Sequence, residues 1–195
     1  MGLVLASASP RRHQLLSEIV GRFAVVPSDI PEVPLPDETA EAFAQRIAAE
    51  KAADVARRHP DAFVLGADTV VVVDGAILGK PRDREDARRM LHLLSGRSHA
   101  VLTAVALLGP AGVRAQLIVR SDVEFRHLSP SEIEEYLDTA EPYDKAGAYA
   151  VQGAAAKFVV QVQGSYSNVV GLPLAEVAAL LRRHLPANIP LGAPP

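Results

Sequence analysis

The sequence predicts an α/β protein on three observations. Apolar runs of strand length (3–6, 23–26, 63–73, 98–108, 113–125 and 158–162) alternate with helix-like stretches. The helical stretches open on start signals such as Ser9-Pro10, Thr39 and Ser129-Pro130. Two turn signals, Asp74-Gly75 and Gly109-Pro-Ala-Gly112, join neighbouring strands as hairpins. With 195 residues, 49% of them hydrophobic and 22% charged, the chain suits one soluble domain with a sizeable core. No repeat or shift of composition marks a second domain, so one is expected over residues 1–185, followed by a proline-rich, mobile tail from 186 to 195.

The first strand, Leu3 to Ala6, stops at Ser7-Ala8-Ser9, and Pro10 opens a helix. Serine at the cap with proline at the first helical position is a favoured start, because proline gives up an amide that had no partner there. The free N–H groups and the positive end of the helix dipole then face the serine loop. Acidic residues suit such a first turn, yet the chain places Arg11 and Arg12 in it. An anion seated in the loop resolves the conflict. Two solvated arginines on an ordinary capped helix are the plainer alternative.

Phe23 to Val26 leads into Pro27-Ser-Asp-Ile-Pro-Glu-Val-Pro-Leu-Pro36, a loop stiffened by four prolines. Glu32, at its middle, reads as an exposed carboxylate. The helix from Thr39 to His59 turns Phe43, Ala44, Ile47, Ala48 and Val55 toward the core. Lys51 falls on the same face. Snorkelling along its stem is the common outcome there; otherwise its ammonium needs an anion inside the fold.

Phe63 to Val73 has the near-continuous β-branched character of a strand buried on both faces, and Asp68 interrupts it. A carboxylate so placed is costly unless paired or bound to a metal, which favours a functional role. Pairing outward from Asp74-Gly75 sets Val73 opposite Ala76 and, continued, Thr69 opposite Lys80, with Pro81 disturbing the end of the ladder. Asp83 to Leu94 and Ser129 to Leu137 read as helices, the latter with Glu132 in a capping box. Glu141 to Gly153 is a glycine-punctuated polar loop, Gly164 to Pro173 a turn-rich connection, and Leu174 to His184 a final helix.

Composition excludes several classes. There are no cysteines, hence no disulfide, thiolate zinc site or cysteine nucleophile. The six histidines lack metal-binding spacing, and no serine occupies a G-x-S-x-G elbow. Gly75 to Lys80 approaches a P-loop but is one residue short and followed by proline. A net charge of −3 gives no electrostatic case for nucleic acid or a membrane surface. No apolar stretch is long enough to span a bilayer, and the short N-terminal run does not resemble a signal peptide, so cytoplasm is expected. What stands out is a polar set: Ser7, Ser9, Arg11, Arg12, Glu32, Lys51, Asp68, Thr69, Lys80 and Gln152. Its excess of cations over carboxylates suits a polyphosphate whose charge is shared with a divalent ion.

Four blocks carry a resemblance. They are Ser7-Ala-Ser-Pro-Arg-Arg12; Gly66-Ala-Asp-Thr69 with Gly79-Lys-Pro-Arg82; Asp144-Lys-Ala-Gly-Ala-Tyr149 with Gln152-Gly153; and Gly164-Ser-Tyr-Ser-Asn-Val-Val-Gly-Leu-Pro-Leu174. In order and spacing, from Leu3 to about Leu181, the chain resembles the Maf family of nucleoside triphosphate pyrophosphatases. The resemblance implies a Maf/ITPase-like α/β fold of two lobes around a long twisted mixed sheet with flanking helices. It also implies a homodimer, with the nucleotide in the cleft between lobes. The implied reaction takes a nucleoside triphosphate to the monophosphate and pyrophosphate with a divalent cation, Mg²⁺ or Mn²⁺. Within the family the chain resembles the branch acting on dTTP and UTP, and modified pyrimidine triphosphates are further candidates.

By the same resemblance Asp68 is the catalytic carboxylate, and Lys51 and Lys80 are phosphate-binding lysines that offset developing charge. Ser7, Ser9, Arg11 and Arg12 hold phosphates, while Glu32 joins Asp68 at the metal. Arg12, Thr69 and Gln152 select the base. A glutamine suits thymine or uracil, because its carbonyl accepts the N3–H while its NH₂ donates to O4. Water attacks either the α- or the β-phosphorus. The alternative is a nucleotide-binding regulator of septum formation with little catalysis, since family members are linked to cell-division arrest. Retention of Asp68, Glu32 and both lysines favours the enzyme.

Overall fold

The first strand, β1 (Leu3–Leu5), ends at the serine loop and α1 (Pro10–Ile19) begins where the Ser-Pro pair predicts. Ser9 caps it, its side chain accepting the Arg12 N–H, and no acidic residue occupies the first turn. The computed structural model describes residues 2–112, 114–187, 189 and 191. The remaining elements are β2 (Ala24–Val25), α2 (Ala40–Arg58), β3 (Phe63–Val73), β4 (Ala76–Leu78), α3 (Arg84–Leu94), β5 (Ser98–Leu108), β6 (Arg114–Phe125), α4 (Pro130–Leu137), β7 (Val159–Gln163), α5 (Tyr166–Val170) and α6 (Leu174–His184). The fold is mixed α/β. Its seven-stranded sheet runs in the order β2-β1-β3-β5-β6-β7, with β4 paired to β3 and helices flanking it.

The chain divides into two compact units. The first holds the residues up to Asp68, Thr103–Val119 and those from Gly171 onward. In it β1 pairs in parallel with β2 and with β3, matching Leu3 to Phe63 and Leu5 to Leu65. Parallel strands need a crossover, which α2 supplies between β2 and β3. Leu5, Leu16, Ile47, Ala48, Ala52, Val55 and Leu65 form its buried core. Gly66 fixes how closely α2 lies on β3: a Cβ there would stand 2.3 Å from the Ala48 carbonyl oxygen and 2.7 Å from the Ala52 nitrogen. Small residues on both sides thus let helix and strand backbones touch.

The second unit holds Thr69–Leu102 and Arg120–Val170. Its hairpin forms as predicted, Asp74 and Gly75 both taking positive φ (50° and 77°) and Val73 facing Ala76. The ladder stops at Val71 opposite Leu78 and does not continue to Thr69 and Lys80. Gly79 turns its carbonyl away from the ladder to accept the Gly147 N–H at 3.1 Å. The core of this unit gathers Leu91, Leu94, Phe125, Ile133, Tyr136 and Phe158.

Two further expectations change. Residues 166–170 of the presumed turn-rich connection form α5, because the Ser165 hydroxyl accepts the Asn168 N–H and the Asn168 side chain is fixed on the Val101 carbonyl and the Ser121 hydroxyl. The loop after α4 contains short 3₁₀ turns at Glu141–Asp144, Ala146–Ala148 and Ala154–Phe158. Val113, predicted to begin a strand, lies outside the described residues, as do residues 188, 190 and 192–195 of the tail. Within that tail Ile189 is buried and Leu191 bridges Val20.

Candidate active site

In the first unit, the close approach at Gly66 brings two buried charges together. Asp68 follows Gly66 by two residues on β3, and Lys51 sits between Ala48 and Ala52 on α2. Lys51 does not snorkel. It is 6% exposed, and its Nζ lies 2.7 Å from Oδ1 of Asp68, itself 4% exposed. The same ammonium lies 2.8 Å from Oε1 of Glu32 in the proline-rich loop. Glu32 keeps the solvent contact expected of a loop carboxylate and also engages the buried Lys51 ammonium, a contact the sequence does not predict.

Burial pushes the Asp68 carboxyl above its ordinary pKa. The charges of Lys51 and Arg12 pull it back, and Glu32 adds to the rise. Arg12 feels the same neighbourhood: burial lowers its pKa, while Asp68 and Glu32 oppose the fall. A guanidinium nevertheless stays charged in a protein. Asp68 is thus a carboxylate with enhanced appetite for a proton, flanked by cations.

The serine loop is organised around Arg12. Its Nη1 lies 3.5 Å from the hydroxyl of buried Ser7, which also accepts the Ser9 N–H at 3.2 Å. Its Nε donates to the Gly171 carbonyl at 2.9 Å. Gly171, at φ 127°, adopts a conformation that favours glycine and thereby aims that carbonyl. No signal in the sequence points to this contact, although Gly171 lies in the last of the four blocks. Arg11, half-buried in the first turn of α1, adds its charge against Arg12.

Thr69, Lys80 and Gln152 belong to the second unit. Thr69 is half-buried in β3, Lys80 is exposed beyond the end of β4, and Gln152 is exposed between buried Val151 and half-buried Gly153. Among the described residues, no three His, Cys, Asp or Glu side chains group into a cage for a metal ion. No described helix is long and apolar enough to cross a membrane.

Residues 2–184 match the family model described as Maf-like protein. A relative from Myxococcus xanthus (strain DK1622), named dTTP/UTP pyrophosphatase, is 54% identical over 189 residues, covering 97% of this chain and 94% of the relative. A protein of the same name from Clostridioides difficile (strain 630) is 44% identical over 193 residues, covering 98% of this chain and all of the relative (100%). Among solved structures, the Staphylococcus aureus Ham1 protein shares the fold, with a TM-score of 0.55 at 15% identity, covering 93% of this chain and 98% of that one.

Proposed function

The chain belongs to the Maf family, and from that premise we propose that it hydrolyses dTTP and UTP to the monophosphate and pyrophosphate. The observation that carries this reading is the buried Asp68–Lys51 pair with Glu32 on the same ammonium. Two buried charges are expensive as a stabilising device and useful as a reactive one.

In the reaction, water adds to phosphorus as its proton passes to Asp68. The anhydride P–O bond between the α- and β-phosphorus breaks, and pyrophosphate leaves. A carboxylate whose pKa burial has raised is better suited to take that proton than a solvated one. Lys51, fixed by two carboxylates, presents a cation to the negative charge that develops on the phosphoryl oxygens. Ser7, Ser9, Arg11 and Arg12 bind phosphates at the N-terminal end of α1. Lys80 is assigned to the pyrophosphate leaving group, and Thr69, Gln152 and Arg12 to the base.

The donor set fits a divalent cation. Asp68 and Glu32 are hard oxygen donors that both reach the Lys51 ammonium, at 2.7 and 2.8 Å, and one or two carboxylates plus substrate phosphates is the usual environment of Mg²⁺. When bound, Mg²⁺ or Mn²⁺ would neutralise phosphate charge and orient the triphosphate. The reading also carries the homodimer that the resemblance implies and the cytoplasmic location expected from the sequence.

The test is pyrophosphate release by the purified protein across a nucleotide panel with Mg²⁺ or Mn²⁺ present. dTTP and UTP should lead the panel. Asp68→Asn should lower kcat by about 10²- to 10⁴-fold while nucleotide binding stays measurable. Near-normal turnover in that variant would refute the role of Asp68, and a purine-led panel would refute the substrate.

A further inference from the structure

In the second unit, Gln152 is the exposed tip of a turn tied down on both sides. Before it, Tyr149 is buried and its hydroxyl lies 2.8 Å from Nε2 of His99, with both rings packed edge-on to Phe125. The turn closes on itself through the Gly153 N–H, which donates to the Ala150 carbonyl at 3.0 Å. After it, the carboxylate of Glu141 takes over. Its Oε2 accepts the Ala154 N–H at 3.1 Å, and its Oε1 accepts the Ala155 N–H at 3.3 Å and the Tyr136 hydroxyl at 2.8 Å.

Gly153 makes room for this contact. A Cβ on it would stand 1.8 Å from Oε2 of Glu141 and 2.2 Å from Cδ. The residue directly after Gln152 therefore has to be glycine for the carboxylate to reach the turn. No side chain of the 3₁₀ turn Ala154–Phe158 caps its own start, so Glu141 does so from thirteen residues away in sequence.

We infer that Glu141, held by Tyr136, is a positioning residue for Gln152 and so a determinant of base selectivity. The inference rests on the reading that Gln152 reads the base. Recognition by one amide requires that its carbonyl and NH₂ meet N3–H and O4 at hydrogen-bond distance, which the backbone beneath it must hold. A turn released from Glu141 would have to be ordered at each binding event, weakening binding of the preferred base most.

The test measures kcat and KM for dTTP and dGTP in Gln152→Ala, Glu141→Ala, Tyr136→Phe and the double variant Gln152→Ala/Glu141→Ala, with Glu134→Gln as control. Glu134 is also a carboxylate of this unit, paired with Arg84 and Arg88. Glu141→Ala should lower the dTTP:dGTP ratio of kcat/KM about tenfold, mostly through KM for dTTP, and Tyr136→Phe about threefold. The double variant should match Gln152→Ala alone, and Glu134→Gln should leave the ratio unchanged. If Gln152→Ala moves the ratio while Glu141→Ala and Tyr136→Phe do not, the positioning role is overturned and the base-reading role survives. An additive double variant also overturns it. If Gln152→Ala leaves the ratio unchanged, the underlying reading of Gln152 fails and the inference falls with it. Should Glu141→Ala not fold, Tyr136→Phe decides alone, since it removes one hydrogen bond and leaves the backbone contacts in place.

Discussion

Two of the cations on helix α2, Arg46 and Lys51, are each held between two carboxylates, in different surroundings. Near the surface, Arg46 donates to Glu38 at 2.7 Å and to Glu50 at 3.2 Å. Five residues on, Lys51 contacts Asp68 at 2.7 Å and Glu32 at 2.8 Å. In the first cluster the hydrogen bonds from Arg46 hold Glu38 down at about 2, against an ordinary 4.5. In the second, burial in β3 outweighs Lys51 and drives Asp68 upward. The charge pattern is the same and the displacement opposite, so the surroundings decide whether a paired carboxylate loses or gains affinity for a proton.

The two clusters serve the same loop. Arg46 also donates to the Val33 carbonyl at 3.0 Å, and Glu38 accepts the Leu35 N–H at 3.0 Å. The near-surface cluster thereby fastens the proline-rich loop from which Glu32 reaches Lys51. One group of charges holds the segment, and the other uses it.

Replacing each cation gives the sharpest test of the contrast. Lys51→Met should lower kcat by about 10²- to 10³-fold at neutral pH, the cost of losing one fixed donor in a desolvated site. Its acidic pH–rate limb should move to higher pH, because Asp68 loses its strongest opposing charge. Arg46→Met should change kcat/KM at most about fivefold, as a near-surface ion pair allows. Equal losses in steady-state assays of the two variants would erase the distinction.

Stability against pH should separate the clusters by sign. Asp68 has a folded pKa above its ordinary 3.8, so the folded state binds more protons than the unfolded one between 3.8 and the raised value. Its contribution therefore falls as pH rises through that window. Glu38 has a folded pKa of about 2 against 4.5, so its contribution is present above 4.5 and is lost as pH falls toward 2. In denaturation series, the advantage of the parent over Glu38→Gln should shrink from pH 4.5 downward. The parent should lose ground to Asp68→Asn as pH rises. Parallel curves would show that the two carboxylates titrate alike.

Much of this was legible from local signals. Phe63–Val73, Ser98–Leu108 and Leu174–His184 form elements at the predicted bounds, because strand composition and helix start signals act within a few residues. Asp68 stood out as a carboxylate in an apolar run. The burial of Lys51 was not legible, since it depends on Gly66 admitting α2 against β3, a contact between distant stretches. The same holds for Glu141 beneath Gly153 and for the Gly171 carbonyl on Arg12. The ladder's end at Leu78 was set by Gly147, sixty-nine residues later, taking the Gly79 carbonyl. Periodicity locates a side chain on its own element and is silent on which element meets it.

The smallest expected effect probes the near-surface cluster by itself. Glu50 meets Arg46 at 3.2 Å with its side chain 45% exposed. The pair is spaced i,i+4 with the cation N-terminal to the carboxylate, the weaker of the two orders on a helix. Removing it costs little, because Glu38 still engages Arg46 with two hydrogen bonds and water replaces the third partner. Glu50→Ala should therefore shift Tm by about 1 °C and leave kcat and KM for dTTP unchanged. A loss of several degrees in a thermal melt would mean that Arg46 depends on both carboxylates as tightly as Lys51 does, and solvent contact would then no longer explain why the two clusters differ.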